Sequence, residues 1–173
     1  MNAKRNPVFT NVHIFGAIAD AAYERMSDDM DRNVRPMPDG SPGTVKTFDP
    51  EQQSFKDAMI SIVFSCIWLE ALLHLLIVRK FGRKCFRKVD RRRSSYGKKL
   101  SLLGCSDDRL LEWAERLRKS RNQLVHENAH LEYSEEGMFQ GEVKTAQDEA
   151  ENARRVMVGV RKWCEEAFEI DPP

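Results

Sequence analysis

The stretch AMISIVFSCIWLEALLHLLIV, Ala58 to Val78, decides how the rest of the chain is read. Its 21 residues are apolar on nearly every side of a helix and are long enough to cross a bilayer. Two residues argue against a span. Glu70 and His74 lie one helical turn apart in its second half, and a central carboxylate costs about 2.5–3.5 kcal/mol on insertion scales. The expectation is therefore the central helix of a protein core, running from Glu51 to about Phe81, with no membrane partner.

Other helices should pack around it. From Val8 to about Met30, Val12, Phe15, Ile18, Ala19, Ala22 and Met26 recur at spacings of three and four, one face of a helix. Asp31 to Pro50 holds four prolines and two glycines and reads as a crossing loop. Ser94 to Leu103 is a short helix stopped by Gly104. Ser106 or Asp107 caps the next, which carries Leu110, Leu111, Ala114 and Leu117 and ends near Asn128. His130 to Val143 is polar and reads as a loop or short hairpin. Thr145 to Phe168 closes the chain with Ala153, Val156, Met157, Val160, Trp163, Cys164 and Phe168 inward. The predicted fold is all-α, an up-down bundle of four to five helices. Residues 1–50 form an N-terminal helix and Pro/Gly-rich loop packed on the bundle of residues 51–173.

Composition agrees with a globular domain: of 173 residues, 41% are hydrophobic and 32% charged, with a net charge of +1. The four cysteines, Cys66, Cys85, Cys105 and Cys164, have no CxxC or regular spacing, and MNAKRNPVF lacks the apolar core of a signal peptide. Reduced thiols and a cytoplasmic location are expected. Trp68, Trp113 and Trp163 read as core or interface.

The residues that carry chemistry lie in LRKSRNQLVHENAH, Leu117 to His130. At 100° per residue, Leu110, Ala114, Leu117, Arg121 and Leu124 fall within about 80° of one another. Arg121 thus sits inside an apolar stripe, while Asn122 and His126 share another side one turn apart. An arginine so placed must be paired or must line a polar cleft. Glu70 is the candidate partner, and a purely structural Arg121–Glu70 lock between two helices is one reading. His126 alone reads as a helix-end cap, where the dipole favours its cation. His126 and His130 have the spacing of a metal pair without a third ligand, so no metal and no cofactor are expected.

A second feature is electrostatic. Between Arg79 and Lys99, eleven of twenty-one residues are Lys or Arg, against the single acid Asp90. They recur as pairs, Arg79–Lys80, Arg83–Lys84, Arg87–Lys88 and Arg91–Arg92, and a four-residue period would align them along one helical side with Phe81, Phe86 and Tyr96 interleaved. A solvated charged face usually mixes signs; one of a single sign suits phosphate.

The Arg-Asn-x-x-x-His pattern of Arg121, Asn122 and His126, the Glu-Ala-Leu-Leu of Glu70 to Leu73 and a closing helix that begins Thr-Ala-x-Asp at Thr145 together resemble the HEPN superfamily. The resemblance spans about Gln52 to Phe168. It implies a homodimer with two copies of the motif across one cleft, and metal-independent RNA cleavage by 2′-hydroxyl attack in a toxin or antiviral-defence effector, with an antitoxin or defence-system protein as partner. Under it, His126 moves protons, Arg121 stabilises phosphate charge, Asn122 orients either, and Glu70 holds Arg121. Independently of the resemblance, the charge pattern makes Arg83, Lys84, Arg87, Lys88, Arg91 and Arg92 the expected RNA-binding residues. Two rivals stay open: a catalytically silent HEPN-like dimer that binds RNA or protein, and a structural four-helix interaction domain.

Overall fold

The computed structural model describes residues 11–46, 51–92, 94–125 and 145–168. The chain is an all-α helical bundle. Its helices are α1 (Val12–Arg32), α2 (Gln53–Arg91), α3 (Tyr96–Leu103), α4 (Asp108–Val125) and α5 (Ala146–Phe168). The proline-rich crossing contains a short antiparallel hairpin that the loop reading missed, β1 (Val34–Pro36) paired with β2 (Thr44–Lys46). A three-residue strand with a proline at its end offers too little alternation to be read from sequence.

α2 is the spine. It packs against α1, α3, α4 and α5, and Ile62, Cys66, Trp68, Leu69, Leu73 and Ile77 are buried along it. It is the one described helix whose length and hydropathy would suit a membrane span, and 56% of its most apolar window is buried inside the protein. α1 approaches α2 through the small residues Gly16, Ala19 and Ala22. A Cβ at Gly16 would come within 3.1 Å of the Trp68 ring and 3.2 Å of the Arg161 guanidinium, so this contact depends on glycine.

The helix ends follow the local chemistry. Ser95 caps α3 and Gly104, at φ 108°, ends it in the left-handed conformation. The Asp107 carboxylate accepts from the Arg109 and Leu110 backbone N–H groups to start α4. Thr145 and Asp148 form a reciprocal cap at α5: the Asp148 N–H donates to the Thr145 hydroxyl, and the Thr145 N–H donates to the Asp148 carboxylate.

α2 is broken at Gly82, whose φ of 80° and ψ of 165° no helix accommodates. The imidazole of His74 and the ring of Phe86 nevertheless stack with centroids 3.9 Å apart and planes 19° from parallel. Twelve residues of continuous helix would hold them about 18 Å apart. The chain therefore folds back at Gly82, and the basic segment Arg83–Arg91 lies against the body through Phe86 and Val89. This corrects the expectation of one unbroken basic side: Arg79 and Lys80 end the core helix, and the remaining pairs belong to a second helical segment of different direction. The Lys80 ammonium is committed elsewhere, donating to the Leu103 carbonyl at 2.8 Å.

Candidate functional site

On α4, Leu110, Ala114, Leu117 and Ser120 are buried, while Arg121, Asn122 and Leu124 are half-buried. The stripe drifts toward Ser120 at its C-terminal end. Ser120 faces α5, where its hydroxyl donates to Glu149 and to the Arg116 carbonyl. Arg121 is left at the edge of the stripe that faces α2.

There it joins a polar cluster formed by three helices. Cys66 and Glu70, one turn apart on α2, meet Tyr96 from α3 and the Leu117–Arg121 turn of α4. The Tyr96 hydroxyl donates to Glu70 Oε1 at 2.7 Å and neighbours the Cys66 thiol. That thiol lies 3.8 Å from the Leu117 carbonyl. Burial pushes Cys66 up to about 12; the Glu70 charge adds to this, and the Tyr96 hydroxyl and the Arg121 charge oppose it. Both charges therefore reach the same thiol. Burial, with the neighbouring Cys66 and Glu70, raises Tyr96 well above the ordinary phenol range. Cys66 is a neutral thiol at physiological pH, not a nucleophile.

The expected Arg121–Glu70 lock is not formed. Glu70 is exposed rather than buried, and its partner is Tyr96. Among the described residues Arg121 makes no ion pair; its guanidinium donates only to Asn122 Oδ1, at a long 3.5 Å. The carboxylate settles on Tyr96 because that hydroxyl is itself buried and must find an acceptor, whereas Glu70 can be hydrated. The sequence pattern interleaves Tyr96 with the basic pairs; in the structure it is 3% exposed and belongs to the core. The signal that could have found it was its position one residue after the Ser95 cap, on the inward face of a short amphipathic helix.

Arg121 stands apart from its peers. Five described arginines are half-buried: Arg116, Arg118, Arg121, Arg154 and Arg161. Arg116 pairs with Glu149 at 2.7 Å, Arg118 with Glu115 at 3.1 Å, and Arg154 and Arg161 both with Asp20. Only Arg121 of the five has no carboxylate within the described residues.

The six cations expected to bind RNA, Arg83, Lys84, Arg87, Lys88, Arg91 and Arg92, are all exposed, and none forms an ion pair among the described residues. Phe86 and Val89 turn inward beneath them. His126 and His130, and the polar stretch to Val143, lie outside the described residues, so the distance from Arg121 to His126 is not part of this geometry. Among the described residues no three His, Cys, Asp or Glu side chains gather as a metal site. Comparison with known protein families, curated proteins and solved structures returns no match to this chain.

Proposed function

We propose that the chain is a metal-independent endoribonuclease of HEPN type, acting as a cytoplasmic homodimer in a toxin or antiviral-defence setting. The observation that carries this reading is Arg121: a half-buried guanidinium, alone among the five half-buried described arginines in lacking a described carboxylate, adjacent to Asn122 and five residues before His126 in sequence. Desolvating a guanidinium favours an anionic or polar partner, and Arg121 has no carboxylate partner among the described residues. Phosphate supplies that anion, and a planar, permanently charged fork matches it in two-point contact.

The assigned roles follow the chemistry of RNA cleavage. The 2′-oxygen attacks phosphorus as its proton is removed, the pentacoordinate phosphate gains charge, and the 5′-oxygen leaves with a proton. His126 transfers protons, since imidazole titrates near neutrality. Arg121 stabilises the phosphorane, and Asn122 orients the phosphate or the imidazole. The exposed basic segment after Gly82, without an ion pair among the described residues, binds the RNA backbone. That segment equally supports a silent RNA-binding module, which needs the cations but not His126.

Purified protein incubated with RNA in EDTA tests the reading. Cleavage that is lost in a folded His126→Ala variant is the expected result. Full activity in that variant defeats the catalytic assignment, and binding without cleavage by the parent leaves the silent module.

A further inference from the structure

The sequence interleaves three aromatics with the basic pairs, and the structure sorts them. Phe86 is stacked on His74, and Tyr96 is buried in the polar cluster. Phe81 alone remains at the surface, 41% exposed. It is the last residue of the core helix, immediately before the break at Gly82. Because the chain changes direction there, Phe81 loses the i+3 and i+4 neighbours that a continuous helix would set beside its ring. A cation lies beside it: the Lys80 ammonium, anchored on the Leu103 carbonyl, is 5.4 Å from the Phe81 centroid and 5.8 Å from that of Phe168. Beyond Gly82 the exposed cations Arg83, Lys84, Arg87 and Lys88 follow at once.

We propose that Phe81 is a stacking platform for an unpaired base, at the head of a strip whose cations hold the adjoining phosphates, so that the protein engages single-stranded RNA. The identity of the nucleic acid rests on the ribonuclease reading above; the stacking role does not need cleavage. A base offers its face to a ring only when it is unstacked, which a duplex does not provide, and stacking on an aromatic is tolerant of sequence. An anionic membrane is the rival occupant of any polybasic segment. An interfacial helix, however, buries an apolar face in the lipid, and here the apolar side of Arg83–Arg91, Phe86 and Val89, is spent against the protein body.

The test uses the full chain and a single-stranded oligoribonucleotide carrying one 2-aminopurine, with 2′-O-methyl groups to block cleavage, alongside its duplex. Stacking quenches 2-aminopurine. Phe81→Ala should weaken single-strand binding about fivefold or more and abolish the quenching. Duplex affinity and the salt slope should stay as in the parent, because no phosphate contact is lost. Phe81→Trp should restore both stacking readouts, which separates the ring from a folding defect. Equal single-strand affinity and unchanged quenching in Phe81→Ala would overturn the proposal, as would a parent that binds anionic vesicles but no RNA. Cleavage of unmethylated RNA in EDTA is measured in parallel. Phe81-dependent stacking in a protein that never cleaves supports the platform while defeating the ribonuclease; cleavage that is indifferent to Phe81 does the reverse.

Discussion

Among the described residues, two arginines of α4 face neighbouring helices that carry carboxylates, Arg116 toward Glu149 of α5 and Arg121 toward the Cys66–Glu70 turn of α2, and the two seams end differently. Toward α5, Arg116 donates from Nε and Nη2 to Glu149, and Ser120 donates to the same carboxylate. Toward α2, Glu70 and Arg121 both act on Cys66 without joining, because Tyr96 holds the carboxylate. The first seam spends its charges on holding helices together. At the second, Arg121 has no carboxylate partner among the described residues. Equal residue types on packed helices therefore do not imply equal roles; the third group at each seam, a serine in one and a buried tyrosine in the other, differs.

The sharpest break between the seams is expected in activity. Arg121→Ala should lower the RNA cleavage rate by a factor on the order of 10²–10³, the usual result of removing a donor to developing oxyanion charge. Its melting temperature should stay near that of the parent, because no described carboxylate loses a partner. A large drop in melting temperature with cleavage intact would reassign Arg121 to structure.

High pH should weaken the α2 seam together with other buried groups. The Cys66 thiol sits near 12 in the folded chain against a reference value of 9.0. Between those values the unfolded chain has lost a proton that the folded chain keeps. Stability from this group is therefore complete below about pH 9 and falls as pH rises, by about 1.4 kcal/mol per pH unit. Tyr23, raised from 10.0 to about 12 by burial and then by its hydrogen bond to Glu151, and Cys164, raised by burial, act in the same direction. Denaturant titrations from pH 8 to 11 should show this decline, and Cys66→Ala should make it shallower by the share of one thiol. An unchanged slope in that variant would mean the thiol is not protected by burial.

The α5 seam should fail mechanically instead. Arg116→Ala leaves Glu149, whose side chain is 13% exposed, with Ser120 as its remaining described side-chain donor. Loss of charge-assisted hydrogen bonds of this kind costs about 2 kcal/mol. Chemical denaturation of the variant measures it; a cost near zero would place the pair among exposed ion pairs of little worth.

Much of this was legible in the sequence, for identifiable reasons. Apolar periodicity located the helices because burial imposes it, and the end of the core helix at Phe81 was readable because Gly82 follows. Gly104, Asp107 and Thr145 announced helix ends through chemistry confined to a few residues. What stayed hidden was long-range. The fold-back that stacks Phe86 on His74 depends on one glycine's φ and ψ, and a four-residue charge period reads identically whether or not the helix is broken. The Glu70–Arg121 lock was a reasonable pairing of opposite charges, undone by a hydroxyl from a third helix that no spacing rule connects to either. The role of His126 rests on the motif alone.

Tyr96→Phe is the smallest perturbation and isolates that hydroxyl. The ring stays and packing is kept, so the loss is a hydrogen bond to Glu70, an exposed carboxylate that water can satisfy. A cost of about 1 kcal/mol is expected, without the penalty of a stranded buried charge. If Glu70 merely accepts from Tyr96 and does not steer Arg121, kcat for RNA cleavage should remain within about twofold of the parent. Single-turnover cleavage at saturating RNA separates the two cases, since a change in binding alone would not alter it. A drop in kcat much beyond twofold, in a variant that keeps its fold and its RNA affinity, would show that the Tyr96–Glu70 pair positions the chemistry. The contrast between the seams would then be one of coupling through a held carboxylate, not of a free arginine beside a bound one.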